Sequence, residues 1–270
     1  MIKLLAIDLD GTLLNSNHVI SSENLKAIRI AQDNGIKVII ATGRPEQLVK
    51  EYVEQLKMED PLIMYNGSVI GHPFMDDVLY KKVLSEETIK SVVSHCVKQD
   101  LLFMIYTKDV IISAPNYRVD FFLDKNKNLS DKNKAVFKDI RDMNEILSYD
   151  VHKILLIEHD LEKYQQAYQF AVGHSDVSVV RSSNGFIDIN PHNTSKGIAL
   201  EFYAKELGIK QEEVASIGDQ DNDVSMLKYA GLSISMGNAS ESALKEATHQ
   251  SLSNDENGVA VAIMKYIVKK

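Results

Sequence analysis

Cysteine is almost absent from this chain. Cys96 stands alone among 270 residues, which excludes an internal disulfide and a multi-cysteine zinc site. It lies in an apolar-periodic stretch and reads as an inert buried thiol rather than a nucleophile. Long hydrophobic runs are also missing. The N-terminal run over residues 2–7 is too short for a membrane span, is broken by Asp8 and Asp10, and has no signal-peptide cleavage pattern after it. A cytoplasmic location is therefore expected. Basic clusters are lacking too, and with a formal charge of -8 this argues against nucleic acid or an anionic membrane as the main partner. A small anionic substrate would then need a local cationic site. Internal repeats and low-complexity linkers are absent.

What the chain does have, at 44% apolar and 25% charged residues, suffices for one large domain or two modest ones. Residues 4–7 read as a buried strand, 22–34 as a helix closed by Gly35, and 37–41 as a second strand running into "TGRP". Pro45 suits a first helical turn, with helical spacing over 46–57, and "PLIMYNGSVI" gives a third strand with a turn at Asn66-Gly67. This alternation predicts an α/β fold with a parallel sheet and a ligand crevice at the strands' carboxyl ends. Asp10, Thr42 and Asn66 lie at or just past such ends. From 84 to 186 the pattern changes to a helix, a hairpin "LFMIYTKDVIIS", a polar stretch over 124–134, and further strands and a helix. That segment reads as an inserted α+β module between the two halves of the α/β domain, residues 1–83 and 187–270, and its polar stretch as a solvated loop.

"LLAIDLDGTLLNS" places Asp8 and Asp10 two residues apart, where strand geometry would crowd both carboxylates onto one face unless the strand ends between them. Such a pair raises a carboxylate pKa unless a cation or proton lies between. "SIGDQDNDVSM" supplies Asp219, Asp221 and Asp223 after another apolar strand. If the two strands are neighbours, the carboxylates meet at one crevice, and an all-oxygen set without His or Cys suits Mg²⁺. Asp221 and Asp223, taken singly, also read as helix caps. "ATGRP" offers the Thr42 hydroxyl and the Gly43 amide at a strand-to-helix turn, good geometry for an anion. "TSKGIAL" puts Lys196 at a helix start, where a cation is unfavourable to the macrodipole. Together these are the groups for phosphoryl transfer through an aspartyl phosphate. That chemistry asks for accelerations of up to about 10²¹-fold, or roughly 29 kcal/mol.

The chain resembles phosphatases of the haloacid dehalogenase superfamily, in the branch called Cof-type or type IIB. The motif D-x-D-G-T stands at residues 8–12, a Thr closing the second strand at Thr42, the Lys of "SKG" at Lys196, and G-D-x-x-N-D at 218–223. The resemblance implies a Rossmann-like core with a C2-type cap that selects the substrate. It implies Asp8 as nucleophile and Asp10 as the acid that protonates the leaving alkoxide and the base that activates water. Mg²⁺ would be held by Asp8, the Asp10 backbone carbonyl and Asp219, supported by Asn222 and Asp223, with Thr42, Gly43 and Lys196 on the phosphoryl oxygens. Arg44 is a candidate for a second substrate charge or for a structural pair with a cap carboxylate, and His192 and Asn193 for the pocket lining or a turn. The expected substrate is a small phosphorylated metabolite such as a sugar phosphate. A phosphomutase on the same scaffold and a non-enzymatic regulatory protein are the alternatives, and the sequence leaves the oligomeric state open.

Overall fold

The computed structural model describes residues 1–75, 78–113, 126–127 and 129–268. Strand β1 (Leu4–Ile7) is buried at every position, as its unbroken apolar run requires of a strand covered on both faces. Helix α1 (Ser22–Asp33) starts where the Ser21 hydroxyl accepts from the Asn24 amide, and it leads to β2 (Lys37–Ile40), parallel to β1. Later strands β12 (Val214–Gly218), β13 (Leu232–Ser235) and β14 (His249–Gln250) complete a five-stranded parallel sheet ordered β14-β13-β12-β1-β2. Because β1 lies between β12 and β2, the chain segments leaving their carboxyl ends converge on one crevice.

The third predicted strand leaves this sheet. Strand β3 (Leu62–Met64) pairs antiparallel with β4 (Val69–Gly71), which pairs with β5 (Val78–Lys81), and only a bridge between Ala41 and Ile63 joins β3 to the parallel sheet. Asn66-Gly67 is the turn of that hairpin, with Tyr65, Asn66 and Gly67 all at positive φ. The helix expected over 46–57 is also interrupted. A 3₁₀ turn (Glu46–Leu48) precedes α2 (Lys50–Leu56), and Lys57 caps that helix in the left-handed region.

The inserted segment builds a second sheet of six strands. These are β6 (Leu102–Thr107), β7 (Ile111–Ser113), β8 (Phe137–Lys138), β9 (Val151–Ile157), β10 (Val177–Ser183) and β11 (Phe186–Pro191), in the order β10-β11-β9-β6-β7-β8. Strand β11 thus carries this sheet to Pro191, past residue 186. Helices α3 (Glu86–Lys98) and α5 (Leu161–Val172) share a core with Phe103, Ile105, Ile154, Leu156, Ile187 and Ile189, while the short α4 (Met143–Leu147) adds Ile146. The intervening residues Met104, Tyr106, Leu155 and Ile157 belong instead to the core shared with the parallel-sheet unit. Strand side chains alternate faces, so each of these strands supports its own helices with one parity and looks toward the crevice with the other. Cys96 lies on the buried face of α3, where burial pushes its thiol up to about 12. Among the described residues no helix is long and apolar enough to cross a membrane.

Candidate active site

Asp8 is the first residue past β1, and its amide donates to the Ile217 carbonyl of β12 (2.9 Å), so the chain is still held to the sheet as the side chain turns in. The next residues form a tight turn around Gly11, whose φ is 77° and whose hypothetical Cβ would sit 2.4 Å from the Asp219 carboxylate. Glycine is required there twice over, for the left-handed backbone and for the close approach. Thr12 then donates its hydroxyl to Asp219 (2.6 Å), tying the first motif to the fourth.

Asp8, Asp219 and Asp223 are buried and bring carboxylate oxygens within 4.8 Å of one another. Lys196 opens α6 (Lys196–Glu206) behind the Ser195 cap and is wholly buried. Its Nζ donates to Asp8 (2.6 Å) and to Asp223 (2.5 Å). The other oxygen of Asp223 accepts the Asp219 and Gln220 amides (2.8 and 3.0 Å), so both are committed within the protein. Burial pushes the Asp8 carboxyl well above the usual range, reinforced by Asp223, despite Lys196. Burial and Asp223 likewise lift Asp219 to about 7. For Lys196, burial favours the neutral amine, but Asp223 and Asp8 outweigh it and hold the ammonium charged. Three carboxylates against one ammonium leave the cluster short of positive charge. An all-oxygen donor set in that condition fits a hard divalent cation: one Asp8 oxygen faces Lys196 and leaves the other to a ligand role, while the Asp219 oxygens accept only from the neutral side chains of Thr12, Gln220 and Asn238.

Of the two readings of the Asp8–Asp10 spacing, a shared strand face or a strand that stops, the structure takes the second: β1 ends at Ile7, just before the pair. Asp10 turns outward, its side chain 47% exposed, and receives Arg44 in a two-pronged pair of 2.7 and 2.5 Å. Its position within the crevice still costs it some hydration, which opposes ionisation, yet Arg44 prevails and holds the carboxyl below the usual range. Arg44 also donates to the Leu48 carbonyl (3.1 Å), so its partner is a carboxylate of the same unit rather than of the inserted one. The side chain of Asn222 donates to Asn66 Oδ1 (3.1 Å) and lines the cavity described below. Thr42 and Gly43 follow β2 as expected, and the Arg44 amide donates to the Thr42 hydroxyl (3.1 Å). His192 and Asn193 are exposed, and their carbonyls accept from Lys82 (2.9 and 3.1 Å); with Asn193 at φ 51° this is a turn, outside the cavity lining.

A cavity of about 1030 Å³ lies over Asp8, Asp10, Thr42 and Gly43. Its far wall comes from the six-stranded sheet, with Met104, Tyr106, Leu155, Ile157 and Phe186 apolar and Lys153 and Asp188 polar. Lys153 and Asp188 are absent from the sequence reading, although "HKILLIE" and "GFIDIN" each place a charge at the parity of their cavity-facing neighbours. Asn126, Leu129 and Asn133 also line the cavity, so this part of the 124–134 stretch is more than a solvated loop; residues 124, 125 and 128 lie outside the described residues.

Residues 5–263 match the model of the haloacid dehalogenase-like hydrolase family. The chain belongs to that family. Two Bacillus subtilis relatives are each 32% identical to it. One is the 5-amino-6-(5-phospho-D-ribitylamino)uracil phosphatase YwtE, aligned over 97% of this chain and 96% of its own. The other is the phosphatase YwpJ, over 98% and 100%. A solved haloacid dehalogenase-like hydrolase from B. subtilis superposes with a TM-score of 0.88 at 31% identity, covering 98% of this chain and 100% of its own. A second, from Bacteroides thetaiotaomicron, gives 0.81 at 29% identity, covering 98% and 99%. This haloacid dehalogenase-like hydrolase is accordingly a phosphatase acting on small phosphorylated substrates, with the α/β core of its family.

Proposed function

We propose that this chain is a Mg²⁺-dependent phosphatase that removes phosphate from sugar-like metabolites through a phosphoaspartate on Asp8. The observation that carries this reading is the buried Asp8 carboxylate, paired with Lys196 (2.6 Å) at the base of the cavity and grouped with Asp219 and Asp223. Asp8 and Asp219 would hold the ion with the Asp10 backbone carbonyl, supported by Asn222 and Asp223. The bound ion would screen the nucleophile from the phosphoryl oxygens and offset charge developing on them.

The remaining work falls to the chain. Lys196, the Thr42 hydroxyl and the Gly43 amide bind the phosphoryl oxygens and orient phosphorus toward Asp8. An Asp8 oxygen attacks phosphorus as the ester P–O bond breaks, and Asp10 gives a proton to the departing alkoxide. Water then loses a proton to Asp10 and attacks the acyl phosphate, which releases orthophosphate and returns Asp8 to a carboxylate. Paired with Arg44, Asp10 is ionised and ready as the base. A substrate phosphate that draws Arg44 away would favour the protonated acid.

The segment over 84–186, with its last strand continuing to Pro191, acts in this reading as a C2-type cap on the core formed by the rest. A cavity with apolar walls and a few polar side chains suits a leaving group with a ring or short carbon chain bearing hydroxyls. The phosphoribityl substrate named for one relative is of that kind. The test is phosphate release from sugar, polyol and nucleoside phosphates, with Mg²⁺ or with chelator, for wild type and Asp8→Asn. Chelator-sensitive release with a phosphoryl adduct on an acid-quenched peptide containing Asp8 is expected. Release that survives either chelator or Asp8→Asn refutes the reading, and isomerised monophosphate from a sugar bisphosphate without net release would favour a mutase.

A further inference from the structure

Lys153 is a lysine of the inserted sheet buried in the wall of the cavity. Its Nζ donates to the Gly43 carbonyl (2.7 Å), pairs with Asp188 on β11 (3.0 Å) and lies over the Tyr106 ring, 4.7 Å from its centroid. Asp188 accepts from the Asn66 side chain (2.8 Å), whose oxygen in turn accepts from Asn222 (3.1 Å). Asn66 also donates its amide to the Thr42 carbonyl (3.0 Å), and a Cβ on Gly43 would come within 2.8 Å of its side-chain oxygen.

Two consecutive carbonyls of the Thr42–Gly43 turn are therefore held, one by Asn66 and one by Lys153. A trans peptide is planar with N–H opposed to C=O, so holding the Thr42 carbonyl aims the Gly43 N–H the other way, and holding the Gly43 carbonyl fixes the next peptide. A charge-assisted bond from a buried ammonium is a strong way to do this. Only when the two sheets face each other can Lys153 reach Gly43.

We propose that Lys153 is a positioning residue of this phosphatase: from the inserted sheet it sets the turn that receives the phosphoryl group, so seating that unit and completing the anion site are one event. This rests on the reading of Thr42 and Gly43 as the phosphate-binding turn. The experiment measures competitive inhibition by orthophosphate, with p-nitrophenyl phosphate as substrate and Mg²⁺ present, for wild type, K153M, K153R, D188N, K153M/D188N and T42A, alongside each protein's Tm.

The expected result is that K153M weakens orthophosphate binding roughly tenfold or more, the worth of a charge-assisted hydrogen bond, and lowers Tm. K153R recovers part of the binding. The double variant K153M/D188N, which leaves no lone buried carboxylate, regains Tm but not orthophosphate affinity. Recovery of both in the double variant overturns the proposal, since Lys153 would then serve only to neutralise Asp188. Unchanged orthophosphate inhibition in K153M with weakened inhibition in T42A overturns it as well. If T42A is also without effect, the reading of the turn fails and takes the proposal with it.

Discussion

Replacing Lys196 with Met removes the ammonium that holds Asp8 and Asp223 at 2.6 and 2.5 Å, both pairs being buried. Methionine fills similar space, so the change is mainly electrostatic. Removing one partner of a buried pair costs about 3–5 kcal/mol, a large part of a total stability of about 5–15 kcal/mol. At about 2–4 °C per kcal/mol, Tm should fall by roughly 10 °C. The loss should grow with pH. Burial and Asp223 already raise Asp8, and Lys196 is the group that opposes them, so in the variant Asp8 rises further. The folded protein then keeps protons that the unfolded chain has released above the ordinary carboxylate range, and stability falls as pH rises. Urea denaturation in chelator at about pH 5 and about pH 8 reads this directly, the deficit being larger at the higher value. Added Mg²⁺ should recover part of it. A deficit below about 1 kcal/mol, the range of an exposed pair, or one that does not change with pH would refute the reasoning.

Asp8→Asn should abolish turnover while holding or raising Tm in chelator, because it removes the proposed nucleophile and one crowded charge together; a tenth of wild-type activity would sink the covalent route. Mg²⁺ binding should strengthen through neutral pH, because Asp219, lifted to about 7, and Asp8 must release protons to serve as ligands. Titration calorimetry in buffers of different ionisation enthalpy would detect those protons, and an affinity independent of pH around 7 would contradict the expectation. Without metal the sign reverses for stability: the raised Asp219 makes the apo protein less stable as pH climbs from the ordinary aspartate range through about 7. Gly11→Ala, with its Cβ 2.4 Å from Asp219 and φ at 77°, should cost about 1–3 kcal/mol of stability. It should also weaken Mg²⁺ binding in the same titration, and unchanged affinity would mean Asp219 is not a ligand.

Strands β1, β2 and β12 were legible because they are largely apolar runs, each ending in a motif whose polar residues could not be buried in mid-strand, whereas the exposed two-residue β14 carries no such signal. Asp8, Thr42, Lys196 and Asp219 meet because β1 runs between β2 and β12, a neighbour relation that alternating strands and helices suggest but do not specify. Local pattern could not reveal that β3 turns away into its own hairpin, since three apolar residues look alike in either sheet. The Asp8–Asp10 spacing left two readings open for a related reason: strand alternation holds only while the strand lasts, and β1 stops at Ile7. Arg44 and Asp10 lie 34 residues apart, and nothing in either segment reports the pair. Lys153 and Asp188 were visible only as charges in apolar strands, and their meaning depends on which parity faces the cavity.

That parity divides labour within single strands. On β6, Phe103 and Ile105 anchor the helices behind the sheet while Met104 and Tyr106 front the cavity; on β9, Ile154 and Leu156 anchor while Leu155 and Ile157 front it. If the inserted unit is the cap proposed above, side chains that would choose the leaving group are one residue removed from side chains that keep the unit folded, yet on the opposite side of the backbone. A lineage can exchange the former without loosening the latter. On that proposal the same scaffold could drift between substrates while the phosphoryl site beneath it stays as it is.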